Sequence, residues 1–139
     1  MNLGHLLLKI LVGLVALLLL YLGLGLVFDP LEGVRAFAVE PQGLHGLSTI
    51  RGDLGGMFIA STIMLSIGLA TGASLWYMAV AVLMGAIAAG RVVGFVVDGY
   101  DDASLAPFIV ELVMVAVLVT ARVVLRHHHH ESGHRHGEH

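Results

Sequence analysis

The chain has 139 residues, no cysteine and a formal charge of −3 at neutral pH, with a mean hydropathy of +0.92. Apolar residues make up 58% of it and charged residues only 12%, where a soluble domain carries about 25%, so the composition is that of a single-domain membrane protein. The missing cysteines exclude disulfides, CxxC redox sites, c-type haem attachment and thiolate nucleophiles, and the lack of a basic stripe excludes nucleic acid as a partner.

Four apolar runs, at about 6–28, 48–70, 75–97 and 105–125, reach the roughly 20 residues that a helix needs to cross a bilayer. All are expected to be helices, because lipid leaves no partner for an unpaired backbone and the runs are too continuous for barrel strands. Lys9 before the first run and the A-x-A form of Ala36-Phe37-Ala38 raise the possibility of a cleaved signal. The run from Ile10 to Phe28 nevertheless exceeds the usual apolar core of about 7–15 residues, so a retained span is expected.

Asp29-Pro30-Leu31-Glu32 follows, with aspartate at the N-cap, proline at N1 and glutamate at N3, a capping-box-like start. Leu31, Val34, Phe37 and Ala38 then share one face, which predicts a short helix along the interface, ended by Pro41 and Gly43. Ser48 is placed to cap the second span. The second and third spans are joined through Thr71-Gly72-Ala73-Ser74 and should form an antiparallel hairpin, with Trp76 and Tyr77 at the interface that amphipathic aromatics prefer. Ser104 as cap and Pro107 in the first turn open the last span.

Lys9, Arg122, Arg126 and Arg135 flank the side that holds both termini, whereas the opposite loops set Arg35 against Asp29, Glu32, Glu40, Asp98, Asp101 and Asp102. The positive-inside rule puts both termini in the cytoplasm of an inner membrane. Residues 1–126 therefore read as an all-α, four-helix membrane bundle with a short interfacial helix after the first span, and residues 127–139 as a histidine-rich disordered tail. His127, His128, His129 and His130, then His134 and His136, could take a divalent metal. The competing reading is a solvated or artificially added end with incidental metal affinity, and no cofactor is expected. His45, alone in a loop, reads as solvated, and the scattered methionines as packing.

The chemistry-bearing residues are the charges set in apolar sequence: Arg51, Asp53, Arg91, Asp98 and Glu111. At about 1.5 Å per residue, Asp53, Arg91 and Glu111 fall roughly 8–9 Å below the same extracytoplasmic boundary. Arg91, Gly94 and Asp98 share a helix face, as do Asp53, Gly56 and Ala60, while Arg51 sits about 200° round from Asp53. Gly52-x-x-x-Gly56 and Gly90-x-x-x-Gly94 have the small-x-x-x-small spacing that lets helix backbones touch. An Asp53–Arg91 pair across the hairpin is expected, with Glu111 as a second acid near Arg91 or Arg51.

In Arg51-Gly52-Asp53-Leu54-Gly55-Gly56, Gly90-Arg91-Val92-Val93-Gly94-Phe95-Val96-Val97-Asp98-Gly99 and Glu111-Leu112, the chain resembles a bacterial family of small four-span membrane proteins known only as a domain of unknown function, and more loosely the DoxX-like small membrane proteins. The resemblance runs from the first span to about Arg126. It matches at Arg51, Arg91, Asp98 and Glu111 and departs at Asp53, where the family often has a less polar residue. It implies the fold and the charged layer, and no activity.

An ionisable residue inside a membrane span marks a functional site by default. The first reading is therefore a module that binds or moves a small anionic or lipid-like ligand, Arg51 and Arg91 holding the anion and Asp53 and Glu111 balancing charge or carrying protons. The second is a structural or accessory subunit, a homo-oligomer or part of a larger complex, in which the charges pin register. An enzyme ranks lowest: the chain contains no H-E-x-x-H, P-loop or G-x-S-x-G.

Overall fold

Long leucine- and valine-rich runs with few breakers can satisfy their backbone only within themselves, and the computed structural model, which describes residues 2–126, is helical almost throughout. Helix α1 spans Leu3–Phe28, opened by Asn2, whose side chain accepts from the Gly4 N–H. A short turn of helix, α2, covers Pro30–Gly33, and a 3-10 turn continues it over Val34–Phe37. Helix α3 (Gly43–Thr49) runs through a π-turn (Ile50–Gly55) into α4 (Gly56–Thr71). Helix α5 spans Leu75–Val97, and α6 spans Leu105–Arg126 after a 3-10 turn at Asp102–Ser104. Four of these units are long and apolar enough to cross a membrane: Leu3–Phe28, Gly43–Thr71, Leu75–Val97 and Asp102–Arg126. The all-helical architecture and the short helix after the first span agree with the sequence expectation.

The bundle closes as a ring in which α1 packs on α4 and α6, and α5 packs on the same two helices. Each long helix buries one stripe at steps of three or four residues: Val12, Val15, Leu19 and Leu26 on α1, Phe58, Ser61 and Leu65 on α4, Tyr77, Val80, Met84 and Ala88 on α5, and Glu111, Met114, Leu118 and Ala121 on α6. The remaining faces are also apolar, with Leu14, Leu17, Val82, Val93 and Val113 exposed. Helices apolar all round belong in hydrocarbon.

Lipid supplies no hydrophobic drive between helices, so close packing and polar contacts must join them. Helix α1 closely approaches the π-turn and the start of α4. A Cβ on Gly23 would lie 2.8 Å from Ile59 Cγ1 and 3.2 Å from the Gly55 carbonyl, and one on Gly55 would lie 2.7 Å from Val27 Cγ2. One turn further down, the Thr62 hydroxyl is 3.1 Å from the Ala16 carbonyl of α1 and 3.1 Å from its own Phe58 carbonyl. Between α4 and α5 the contact is Gly68 under Tyr77, where a Cβ would meet the ring at 2.6 Å. At the other end Phe95 lies 5.7 Å from Phe108, edge to face, and 5.6 Å from Tyr100, tying α5 to α6.

Several local expectations are corrected. The second span starts at Gly43, not near Ser48; Ser48 lies inside α3, whose N-cap is Gln42. The short helix does form on Asp29, whose side chain accepts from the Glu32 N–H at 3.4 Å, but Ala38 in the left-handed region ends it, ahead of Pro41 and Gly43. Glu32 pairs with Arg35 at 3.1 Å. Tyr77 is not a headgroup-facing aromatic: it is 1% exposed, because Gly68 leaves a hollow that only a large ring fills. The Ser104 hydroxyl donates to Asp101 at 3.3 Å.

Branched side chains at the α1–π-turn contact should separate the helices. Gly55→Val is expected to lower stability by about 1–3 kcal/mol, the usual cost of overpacking, whereas Gly90→Ala, where a Cβ would meet nothing within 4 Å, should leave the monomer unchanged. Denaturant unfolding of both variants in mixed micelles checks this.

Candidate functional site

Of the charges set in apolar sequence, two meet. Arg91, six residues before the end of α5, donates from Nε to both carboxylate oxygens of Glu111 on α6, at 2.8 and 3.0 Å. The helices that carry them are the adjacent pair clamped by Phe95 and Phe108. The Glu111 side chain is 9% exposed and that of Arg91 25%, so the pair is an acid sealed in the bundle under a guanidinium that reaches its surface. A carboxylate at that depth would be strongly disfavoured alone; paired and doubly hydrogen-bonded, it is compensated. No buried side-chain nitrogen or oxygen among the described residues lacks a partner.

The other three charges lie elsewhere. Arg51, in the π-turn, donates from Nη1 to the Val27 carbonyl in the last turn of α1. The last four carbonyls of a helix have no partner within it, and a cation there also meets the negative end of the helix dipole. Arg51 is thus a cap for α1, supplied by a neighbouring helix. Asp53 is exposed and, among the described residues, forms no ion pair; the expected Asp53–Arg91 contact is not made. The reason is the π-turn: Gly56 N–H reaches back to Arg51 O, the turn widens, and its principal neighbour is α1, not α5. Asp98 is the exposed C-cap residue of α5, its N–H bonded to the Gly94 carbonyl at 2.8 Å.

Gly52, Gly56 and Gly90 face open space, and a Cβ on Gly94 would meet only the Asp98 carboxylate at 3.9 Å. The glycines that do touch, Gly23 and Gly55, were legible only as part of glycine-rich runs, since neither stands in the seams that bracket the charges. A second polar contact was also missed: Arg122 of α6 donates to the Ser74 hydroxyl at 2.9 Å, joining the α6 terminus to the α4–α5 turn. His45 is exposed, and its carbonyl accepts from Thr49. The candidate metal residues His127, His128, His129, His130, His134 and His136 lie outside the described residues.

An apolar groove of about 260 Å³ runs between α1 and α6, lined by Leu11, Leu14 and Leu18 on one side and Val110, Val113 and Val117 on the other. It begins within one helical turn of Glu111.

Removing one partner of the pair leaves a buried charge alone. Arg91→Ala is expected to cost about 3 kcal/mol, the low end for a broken buried pair, since Arg91 is partly exposed. The double replacement Arg91→Leu with Glu111→Leu should recover most of that loss, and Asp53→Asn should change stability by less than about 0.5 kcal/mol. Unfolding titrations of the four proteins decide it. Arg51→Met uncaps α1 and should cost about 1 kcal/mol, read as faster amide exchange at residues 25–29.

No curated protein and no solved structure matches this chain. Residues 7–122, most of its length, match the model of one family, described as Domain of unknown function (DUF4345). The four-helix chain with its Arg91–Glu111 pair belongs to the DUF4345 family.

Proposed function

We propose that this DUF4345 protein binds or moves a small anionic or lipid-like ligand at Arg91 and Glu111, in the extracytoplasmic half of an inner-membrane bundle whose termini are cytoplasmic. The observation that carries the reading is the division of labour in the guanidinium. Arg91 spends Nε on Glu111 and keeps a quarter of its side chain exposed. Its outer N–H groups form a planar fork suited to a carboxylate or phosphate. Glu111 fixes that fork and neutralises the site when it is empty. The groove between α1 and α6 lies at a neighbouring level and suits a hydrocarbon chain. Lys9, Arg122 and Arg126 on one side of the chain, against the acids of the opposite loops, support the orientation.

A structural or accessory role is the second reading. It is favoured by the complete internal pairing of Glu111 and by the open faces at Gly52, Gly56 and Gly90, which are free for another helix. In that role the ion pair pins register between α5 and α6 and the ligand is absent.

Native mass spectrometry of the gently solubilised protein separates the two. A co-purifying anionic lipid or small acid, present on the wild type and lost in Arg91→Gln, is the expected result. A folded, ligand-free bundle, or one that carries only a reproducible protein partner, overturns the binding reading in favour of the structural one.

A further inference from the structure

The charged layer near the extracytoplasmic boundary is not the only polar concavity. At the opposite end, the turn between α4 and α5 and the last turns of α6 border an open surface cavity of about 350 Å³ lined by residues 71–75, Arg122 and Arg126. We infer that this cavity is a binding site for a phosphate oxyanion, held between Arg122, Arg126 and the amino end of α5.

Three features of the lining select a phosphate. The first is uncompensated charge. Two arginines four residues apart share one face of α6, and among the described residues no acid lines the cavity. Among the described residues neither arginine has an ion pair; those present are Arg35–Glu32 and Arg91–Glu111. This differs from Arg91, whose charge is cancelled within the bundle. The second is pre-organisation. Arg122 is half-buried and anchored by its hydrogen bond to the Ser74 hydroxyl at 2.9 Å, and Ser74 itself is 7% exposed. One guanidinium is therefore already fixed at the wall, where a flexible surface arginine would lose rotamer freedom on binding.

The third is the donor set of the turn. Gly72, at φ 72°, ends α4 in the left-handed region and turns the chain directly into α5. The N–H groups of Ala73, Trp76 and Tyr77 are bonded within the turn, to Thr71 Oγ1, Ala73 O and Ser74 O. Those of Ser74 and Leu75 have no such bond, and Ser74 spends its side chain on Arg122 without capping the helix. A 23-residue helix thus presents uncapped amino groups to a cavity that already holds two cations. Fixed N–H donors, a helix amino end and an arginine fork are the elements that recognise phosphate. The placement also fits a source, because a basic pocket at the cytoplasmic end of a bundle meets the phosphates of anionic lipids. The same donors would accept inorganic phosphate.

The test uses the full-length protein. In nanodiscs of phosphatidylcholine containing phosphatidylglycerol, native mass spectrometry after release into detergent should show phosphatidylglycerol retained over phosphatidylcholine. Titration with inorganic phosphate in neutral detergent reports the free anion. Arg126 is exposed and makes no hydrogen bond or ion pair with another described residue, so Arg126→Gln should fold as the wild type does and weaken phosphate or lipid retention about tenfold, one charge-assisted contact. Arg122→Gln should do the same, with its helix content checked by circular dichroism. Lipid retention that falls in both variants, with no response to inorganic phosphate, identifies a headgroup site. Saturable binding of inorganic phosphate that falls in both, without lipid preference, identifies a free-anion site. Binding of neither probe, or binding unchanged in Arg126→Gln, overturns the inference.

Discussion

Hydrocarbon offers no partner to a polar group, and that constraint organises this chain. Every buried side-chain polar atom among the described residues is paired, and four polar contacts fix one helix to another. Glu111 is held by Arg91 across α5 and α6, the Ala16 carbonyl by Thr62 across α1 and α4, the Val27 carbonyl by Arg51 across α1 and the π-turn, and Ser74 by Arg122 across the α4–α5 turn and α6. Apolar side chains cannot supply such specificity here, because lipid tails compete with them on nearly equal terms. Close packing adds to it where glycine admits a neighbouring helix, at Gly23, Gly55 and Gly68 among others.

The two ends of the bundle use arginine differently. At the end opposite the first residues of α1, Arg91 and Arg51 are each committed to an acceptor on another helix, a carboxylate in one case and a helix carbonyl in the other. At the end bearing the termini, Arg122 is tethered by a neutral hydroxyl, and among the described residues neither it nor Arg126 has a carboxylate partner. The first arrangement builds the fold, with the Arg91 side chain partly accessible and Arg51 exposed. The second leaves two guanidinium groups beside the α4–α5 turn without a carboxylate partner among the described residues.

The π-turn is where local and global demands meet. Ile50–Gly55 holds three polar or glycine positions in a row, Arg51, Gly52 and Asp53, and breaks helical regularity there. Such single-turn π segments are often found at functional sites. In this chain its visible consequence is structural: it presses Gly55 onto α1 and carries Arg51 to the end of that helix, while Asp53 turns outward.

By itself the sequence determined the number of spans, their limits to within a few residues for three of them, and the short helix begun by Asp29 and Pro30. Those properties depend on composition, on local capping and on a fixed rise per residue, all of which are read along one dimension. Tertiary structure alone decided the partners. Arg91 meets Glu111 and not Asp53 because the ring order sets α5 beside α6 and a π-turn rotates the start of α4 toward α1. Equal depth is a property of each helix separately, whereas contact depends on the azimuth and neighbour of both. A one-residue change in helical hydrogen bonding alters azimuth while leaving the apolar pattern intact. For the same reason the glycines that touch were not those spaced around the charges, and the Arg122–Ser74 contact, 48 residues apart in sequence, had no local signature.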